Sequence, residues 1–274
     1  MKKIIIALFA AMCSLFASAQ TTHEFLIHGG GGLSTLNYKL PAGKKTPGFG
    51  GEFGVGYTCI FVEMVGIHVG VDLAFYSSAA TLNGAQVVTE NLTDSEGDHF
   101  NLHTTLNEYK ESPKAIFLNI PVMVQFQTGK KHKFYAMGGI KAGIPLSFAY
   151  KVSNAAITNE AYYPDYDNWL TEQEFAGFGR FENINSVGKQ KIGISVALAL
   201  EAGGKWDLGG RIALYTGIYF DYGLNNIAKN NNQPFVSYTN SEPAEFTTHS
   251  ALLSAANKIN VMAVGIKVRL ALIK

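Results

Sequence analysis

Eight charged residues stand one at a time inside segments that are otherwise apolar, glycine-rich and alternating. They are Glu52, Asp72, Glu201 and Asp221 against Lys141, Arg211, Lys267 and Arg269. Charges in such company must pair or stay hydrated, because an unpaired charge taken out of water costs several kcal/mol. Two chemistries fit them: a salt-bridge and water network, or a narrow gated ion path. A second group lies in "TDSEGDHFNLH", where Asp94, Glu96, Asp98, His99 and His103 crowd together. Alternate carboxylates can ligate Ca²⁺, but the run lacks a full EF-hand pattern and reads as a solvated acidic loop.

A third group lies in "EAYYPDYDNWLTEQEFAGFGRF". Tyr162, Tyr163, Tyr166 and Trp169 stand there with Phe175, Phe178 and Phe181 among Asp165, Asp167, Glu172 and Glu174. Aromatic faces beside carboxylates on an exposed loop suit a glycan or protein ligand. The same residues could instead pack to order the loop as a strand extension and a short helix. His249 and Ser250 have the types for acid–base and nucleophilic work, but the sequence supplies no orienting partner. No catalytic residue, cofactor or metal is therefore assigned.

The elements that must position these groups are eight segments of period two, at 24–36, 49–62, 66–77, 115–127, 133–150, 191–206, 211–224 and 258–273. Strands of soluble domains usually run about five or six residues, and these run ten or more. Eleven residues at about 3.3 Å each, tilted by about 40°, rise close to 27 Å, which matches the apolar band of a membrane-spanning barrel. Connections alternate: 63–65, 128–132 and 207–210 are tight, whereas 37–48, 78–114, 151–190 and 225–257 are long. That rhythm predicts an all-β, eight-stranded, antiparallel up-and-down transmembrane β-barrel with long extracellular loops and short periplasmic turns.

Parity splits each strand into two faces. In the third segment Ile67, Val69, Val71, Leu73 and Phe75 alternate with Gly66, His68, Gly70, Asp72, Ala74 and Tyr76; in the sixth, Ile192 to Leu200 alternate with Gly193, Ser195, Ala197, Ala199 and Glu201. An eight-stranded interior is only just wide enough to be filled by side chains, so about forty bulky groups cannot all point inward. The apolar set is therefore expected against lipid, and the eight single charges in the lumen. Tyr57, Phe61, Phe126, Phe134 and Trp206 would form one aromatic girdle at the turn side, and Phe49, Phe75, Phe148 and Tyr222 another at the loop side. Lipid cannot satisfy a free sheet edge, so the strands must close on themselves. Pro121, inside the strand "AIFLNIPVMVQF", removes one ladder donor and predicts a local bulge or a missing bond.

Lys2 and Lys3, an apolar run from Ile4 to Phe16 and then "ASAQ" have the form of a secretory signal peptide over residues 1–19. Residues 20–274 would make one barrel domain. Without the two signal lysines the 22 basic residues become 20 against 21 acidic ones, a balance that gives no reason to expect nucleic acid as a partner. Cys59 is the one cysteine left after cleavage, which excludes an intramolecular disulfide.

The residues "FLNIPVMVQF", the tight turn, "KFYAMGGIKAGIPLSF" and the later "FDYGLNNI" resemble the outer-membrane β-barrel family common in Bacteroidota, which includes PorT-like and OmpA-like N-terminal barrels. The resemblance implies an outer-membrane location, with the membrane's lipid as the immediate partner and no particular activity. With the sequence stopping at Lys274, a peptidoglycan-binding domain is not expected. A non-enzymatic structural or surface-interaction role through the long loops is the leading expectation. The alternatives are an accessory role in envelope secretion or assembly and, behind it, a rim-located enzyme.

Overall fold

A computed structural model describes residues 21–38, 43–129, 132–228, 234–255 and 258–274. The signal-peptide expectation for residues 1–19 and the turn lysines Lys130 and Lys131 lie outside them. In chain order the strands are β1 (Thr22–Tyr38), β2 (Lys44–Val62), β3 (Val65–Leu82), β4 (Ala85–Thr93), β5 (His99–Asn107), β6 (Tyr109–Thr128) and β7 (His132–Tyr163). They continue as β8 (Asn168–Leu170), β9 (Gly179–Lys189), β10 (Ser195–Gly209), β11 (Ile212–Gly223), β12 (Val236–Thr239), β13 (Glu245–Thr248) and β14 (Ile259–Ile273). A five-residue helix, α1 (Ala251–Ala255), precedes β14. No helix of the described residues is long and apolar enough to cross a membrane.

Eight of these strands close a ring of antiparallel pairs, β1-β2-β3-β6-β7-β10-β11-β14 and back to β1. Closure leaves no free edge for lipid to meet. Both ends of the described chain meet on the short-turn side, where Lys274 N donates to His23 O at 2.8 Å. Gly209 and Gly210 have φ of 91° and 67°, which lets the β10–β11 turn reverse in so few residues.

Side chains face as their volumes demand. Ile27, Val55, Val71, Val122, Ile140, Leu200, Ile218 and Val268 project outward and are exposed, while Glu52, Asp72, Lys141, Glu201, Asp221, Lys267 and Arg269 are buried inside. Phe126, Phe134 and Trp206 point outward at the turn side, and Phe49, Phe75 and Tyr222 at the loop side.

Phe148 departs from this. It is buried, not part of the outer girdle. The reason is a bulge in β7: Ile116 pairs with Ser147 but Phe117 pairs with Pro145, so Leu146 is an extra residue and the parity flips beyond it. Proline does perturb this part of the wall, but the bulge sits beside Pro145. At Pro121 the outcome is the missing-bond one: the β3–β6 ladder stops at Val69–Val122 and resumes at Asp72–Asn119 with the register unchanged.

The long loops are largely sheet. β7 runs 32 residues; beyond the barrel wall one of its edges pairs with β5 and the other with β9, and β4 pairs with β5. Phe100 of β5 packs at 5.4 Å on Tyr163, 5.4 Å on Phe178 and 5.2 Å on Tyr238. One aromatic thus gathers the second, third and fourth loops into an extracellular head with its own apolar core, to which Leu252 and Leu253 of α1 also belong.

Candidate functional site

The lumen is filled in three tiers. Near the periplasmic mouth, Glu24 of β1 pairs with Lys205 of β10 and accepts from the Tyr215 hydroxyl. Lys205 also reaches Gln127 Oε1 at 3.3 Å and lies 4.9 Å over the Tyr215 ring. In the middle, Arg269 of β14 donates to both oxygens of Glu201, the Nε bond measuring 2.8 Å. Tyr135 donates to the same carboxylate at 2.7 Å, and His68 stands 3.1 Å from Arg269 Nη1 and 2.9 Å from Thr58 Oγ1. Above them Lys141 of β7 bridges Glu52 at 2.8 Å and Asp221 at 2.6 Å, and Lys267 joins Glu52 to the tier below through Glu201 at 3.5 Å. Asp72 pairs with His28 at 2.7 Å.

Glycine makes room for two of these groups. A Cβ on Gly54 would come 2.5 Å from Asp72 Oδ1, and one on Gly56 would come 2.5 Å from His68 Cε1. The space among Glu52, Ala74, Tyr76, Tyr219 and Asp221 leaves no volume for a water molecule. Below, a vestibule of about 440 Å³ opens between Glu24, Gln127, Lys133, Lys205 and Asp207.

Of the eight charges expected in the lumen, seven are buried there. Arg211 is the correction: it is exposed in the turn that leads into β11. The residue sits one position before the strand, where no wall holds its long side chain inside. Of the acidic, basic and histidine side chains in the network, Glu24, His28, His68 and Lys205 lie outside those eight. The first two precede the run "GGGG" in β1, where Leu26 shares their parity and the glycines give neither face an apolar character. His68 and Lys205 stand on inward parity in the sequence, which was the available signal.

The third-loop aromatics separate into two kinds. Tyr166 and Trp169 are exposed at 63 % and 47 %, and both Tyr162, at 4.9 Å, and His103, at 4.8 Å, pack on the Trp169 indole. Tyr163 is the correction: it is buried and donates to Asp94 Oδ2 at 2.9 Å, so it ties loops together from beneath. Burial and the Asp94 carboxylate push its phenol above the usual range. The other Asp94 oxygen accepts the Glu96 and Asp98 amides, at 3.0 and 2.9 Å, and the Asp98 carboxylate accepts from Tyr166. Hydrogen bonding to Asp98 raises the Tyr166 phenol. Between the β4–β5 tip, the third loop and the β12–β13 hairpin lies a cleft of about 170 Å³, lined by Asp94, Glu96, Gln173, Phe175, Tyr238 and Glu242.

His249 and Ser250 serve different partners. His249 Nε2 lies 2.8 Å from Ser237 Oγ, whereas Ser250 donates to the buried Glu111, which also accepts the Ala251 amide at 2.9 Å. Burial pushes the Glu111 carboxyl up to about 7 against the lowering pull of these hydrogen bonds.

A closed ring with an apolar exterior and a salt-bridged interior is the build of a membrane-spanning barrel, and residues 16–229 match the family described as outer membrane protein beta-barrel domain. The chain belongs to this family. It is an outer-membrane protein. This outer-membrane barrel is similar to three solved structures. Neisserial surface protein A is 8% identical over 90% of this chain and 95% of that one, with a TM-score of 0.33. The attachment invasion locus protein Ail of Yersinia pestis, in complex with the heparin analogue sucrose octasulfate, is 10% identical over 93% and 98%, at 0.28. A major outer membrane protein from Thermus thermophilus is 10% identical over 91% and 98%, at 0.35. The strand pairing, not these scores, carries the fold. No curated protein matches the chain.

Proposed function

We propose that this barrel is a non-enzymatic anchor that holds a rigid extracellular head for recognition of a glycan or protein ligand. The observation that carries this reading is the tying of three loops into one packed body by Phe100, Tyr163, Phe178 and Tyr238. A preformed surface spends little binding energy on ordering. Its crest exposes Tyr166, Trp169 and Phe175 beside Asp165, Asp167, Glu172 and Glu174. Aromatic faces stack on sugar rings or apolar side chains, and the carboxylates accept from hydroxyls or cations.

The test is binding of the folded chain, in detergent, to glycan arrays and to candidate surface proteins. Trp169→Ala with Tyr166→Ala should lower binding of any hit about tenfold, about 1.4 kcal/mol, while heat-modifiable migration on gels is kept. Unchanged binding would remove the crest from the reading. The likeness of "FLNIPVMVQF" to PorT-like barrels of Bacteroidota supports a second reading, an accessory of envelope secretion or assembly. Stable co-purification with envelope proteins would favour it.

A further inference from the structure

Five lysines lie close together on the outside of the extracellular half. Lys114 of β6, Lys151 of β7 and Lys189 of β9 are all exposed on the outer face just beyond the lipid-facing band. Ala149 of β7 pairs with both Lys114 and Lys189, which places those two in one row across three strands, about 10 Å apart. Lys151 pairs with Ser112 and Val187, one step along from that row, and so lies diagonally about 7–8 Å from each of the other two lysines. A second row on the same side runs Lys44, Thr81, Lys110 across β2, β3 and β6.

The cross-strand neighbours of the three central lysines are serine, alanine and valine, with no carboxylate among them. None of the five lysines makes an ion pair within the described residues. Like charges so close together and unneutralised repel one another unless an anion lies between them.

What lies just below fixes the kind of anion. Ile116, two residues along from Lys114 on the same face, pairs with Phe75, and Leu146 projects outward on the next strand. The surface passes from an apolar wall to a lysine cluster within about 7 Å, the rise of two strand residues. Carboxylates stand further out, at Asp94, Asp98, Asp165 and Asp167 of the loop tips, and Glu108 precedes Lys110 by two residues at the β5–β6 turn, so the group of Lys114, Lys151 and Lys189 is the one with only neutral cross-strand neighbours. A wall of apolar side chains capped by cations is complementary to a lipid with acyl chains below and phosphate at the headgroup.

We propose that this face binds a phosphorylated glycolipid of the outer leaflet, with Lys114, Lys151 and Lys189 clasping one phosphate and the Lys44–Lys110 row a second. Lys110 and Lys114 are four residues apart on one strand, about 13 Å, so the lipid that fits carries two phosphates on a sugar scaffold of about that span. The same contacts set the depth of the barrel in the membrane.

The experiment is native mass spectrometry of the full folded chain in neutral detergent, titrated with a bisphosphorylated lipid A, a phosphate-free glycolipid and inorganic phosphate. Lipid A should bind at least tenfold more tightly than the neutral glycolipid. K114Q/K151Q/K189Q should lose at least tenfold in lipid A affinity, the corresponding triple arginine variant should keep it, and K274Q, at the opposite end of the barrel, should behave as wild type. Heat-modifiable migration shows that each variant is folded. Equal binding of the neutral glycolipid, unchanged affinity of the triple glutamine variant, or displacement of lipid A by millimolar inorganic phosphate would each overturn the proposal, the last by showing a site for free anions.

Discussion

Arg269 of β14 lies against Glu201 of β10 with two hydrogen bonds over the inner face of β11, both side chains closed off from solvent. Removing one partner of such a pair strands the other, whereas removing both removes the cost as well. Arg269→Met should therefore destabilise the barrel by about 3 kcal/mol, near the low end of the range for a broken buried pair because Lys267 and Tyr135 still serve Glu201. Adding Glu201→Met should recover most of that loss. Urea unfolding in lipid vesicles, followed by tryptophan fluorescence, checks both variants.

The upper tier makes a prediction about conduction. With Lys141 bridging Glu52 and Asp221, and Lys267 and Arg269 joined to Glu201 below, the wild-type barrel should show no stepwise conductance in planar bilayers. Truncating the three together, as Glu52→Ala, Lys141→Ala and Asp221→Ala, should produce small steps. A conducting wild type would show that the ion pairs open on the channel timescale.

The outward face can be tested by charge. Val268 is 46 % exposed at the middle of β14 and meets lipid in this orientation. Val268→Arg should cost about 2–4 kcal/mol, the usual penalty for an arginine near the bilayer midplane on a barrel exterior. The measurement is folding yield and urea midpoint in vesicles. A neutral result would place that face away from lipid.

Glu111 gives the extracellular head a pH dependence of definite sign. Its carboxyl is raised from the usual 4.5 to about 7, with burial the largest cause; Ser250 and the α1 amides face it, and Tyr109 and Tyr150 lie near. A group whose folded pKa is raised binds its proton more tightly in the folded state. The stabilisation is fully present below about pH 4.5 and is lost as pH rises through about 7. Packing of α1 and the β12–β13 hairpin should therefore loosen between pH 5 and pH 8, by on the order of 3 kcal/mol at most. Hydrogen exchange over 234–255 reads this directly, and Glu111→Gln should abolish the pH dependence.

The sequence by itself determined the eight strands of the wall, their closure and which parity meets lipid, but not the six further strands that the long loops form among the described residues. Those properties follow from local alternation and from a volume limit that holds whatever the partners are, as Val69, Val71 and Phe75 show against His68, Asp72 and Tyr76. Seven of the lumen charges were legible for the same reason, since a charge on the small-residue parity has nowhere else to point. Only the tertiary structure decided which charge meets which. Lys205 and Glu24 are 181 residues apart and meet inside the lumen because ring closure sets β10 and β1 three strands from each other. Phe148 was lost to the extra residue at Leu146, which alternation in a single strand cannot reveal because a bulge is defined only against its partner. Tyr163 was lost because its burial depends on Phe100 and Tyr238, contributed by two other loops. The lysine cluster has the same origin: Lys114, Lys151 and Lys189 are scattered in the chain and meet only when β6, β7 and β9 pair.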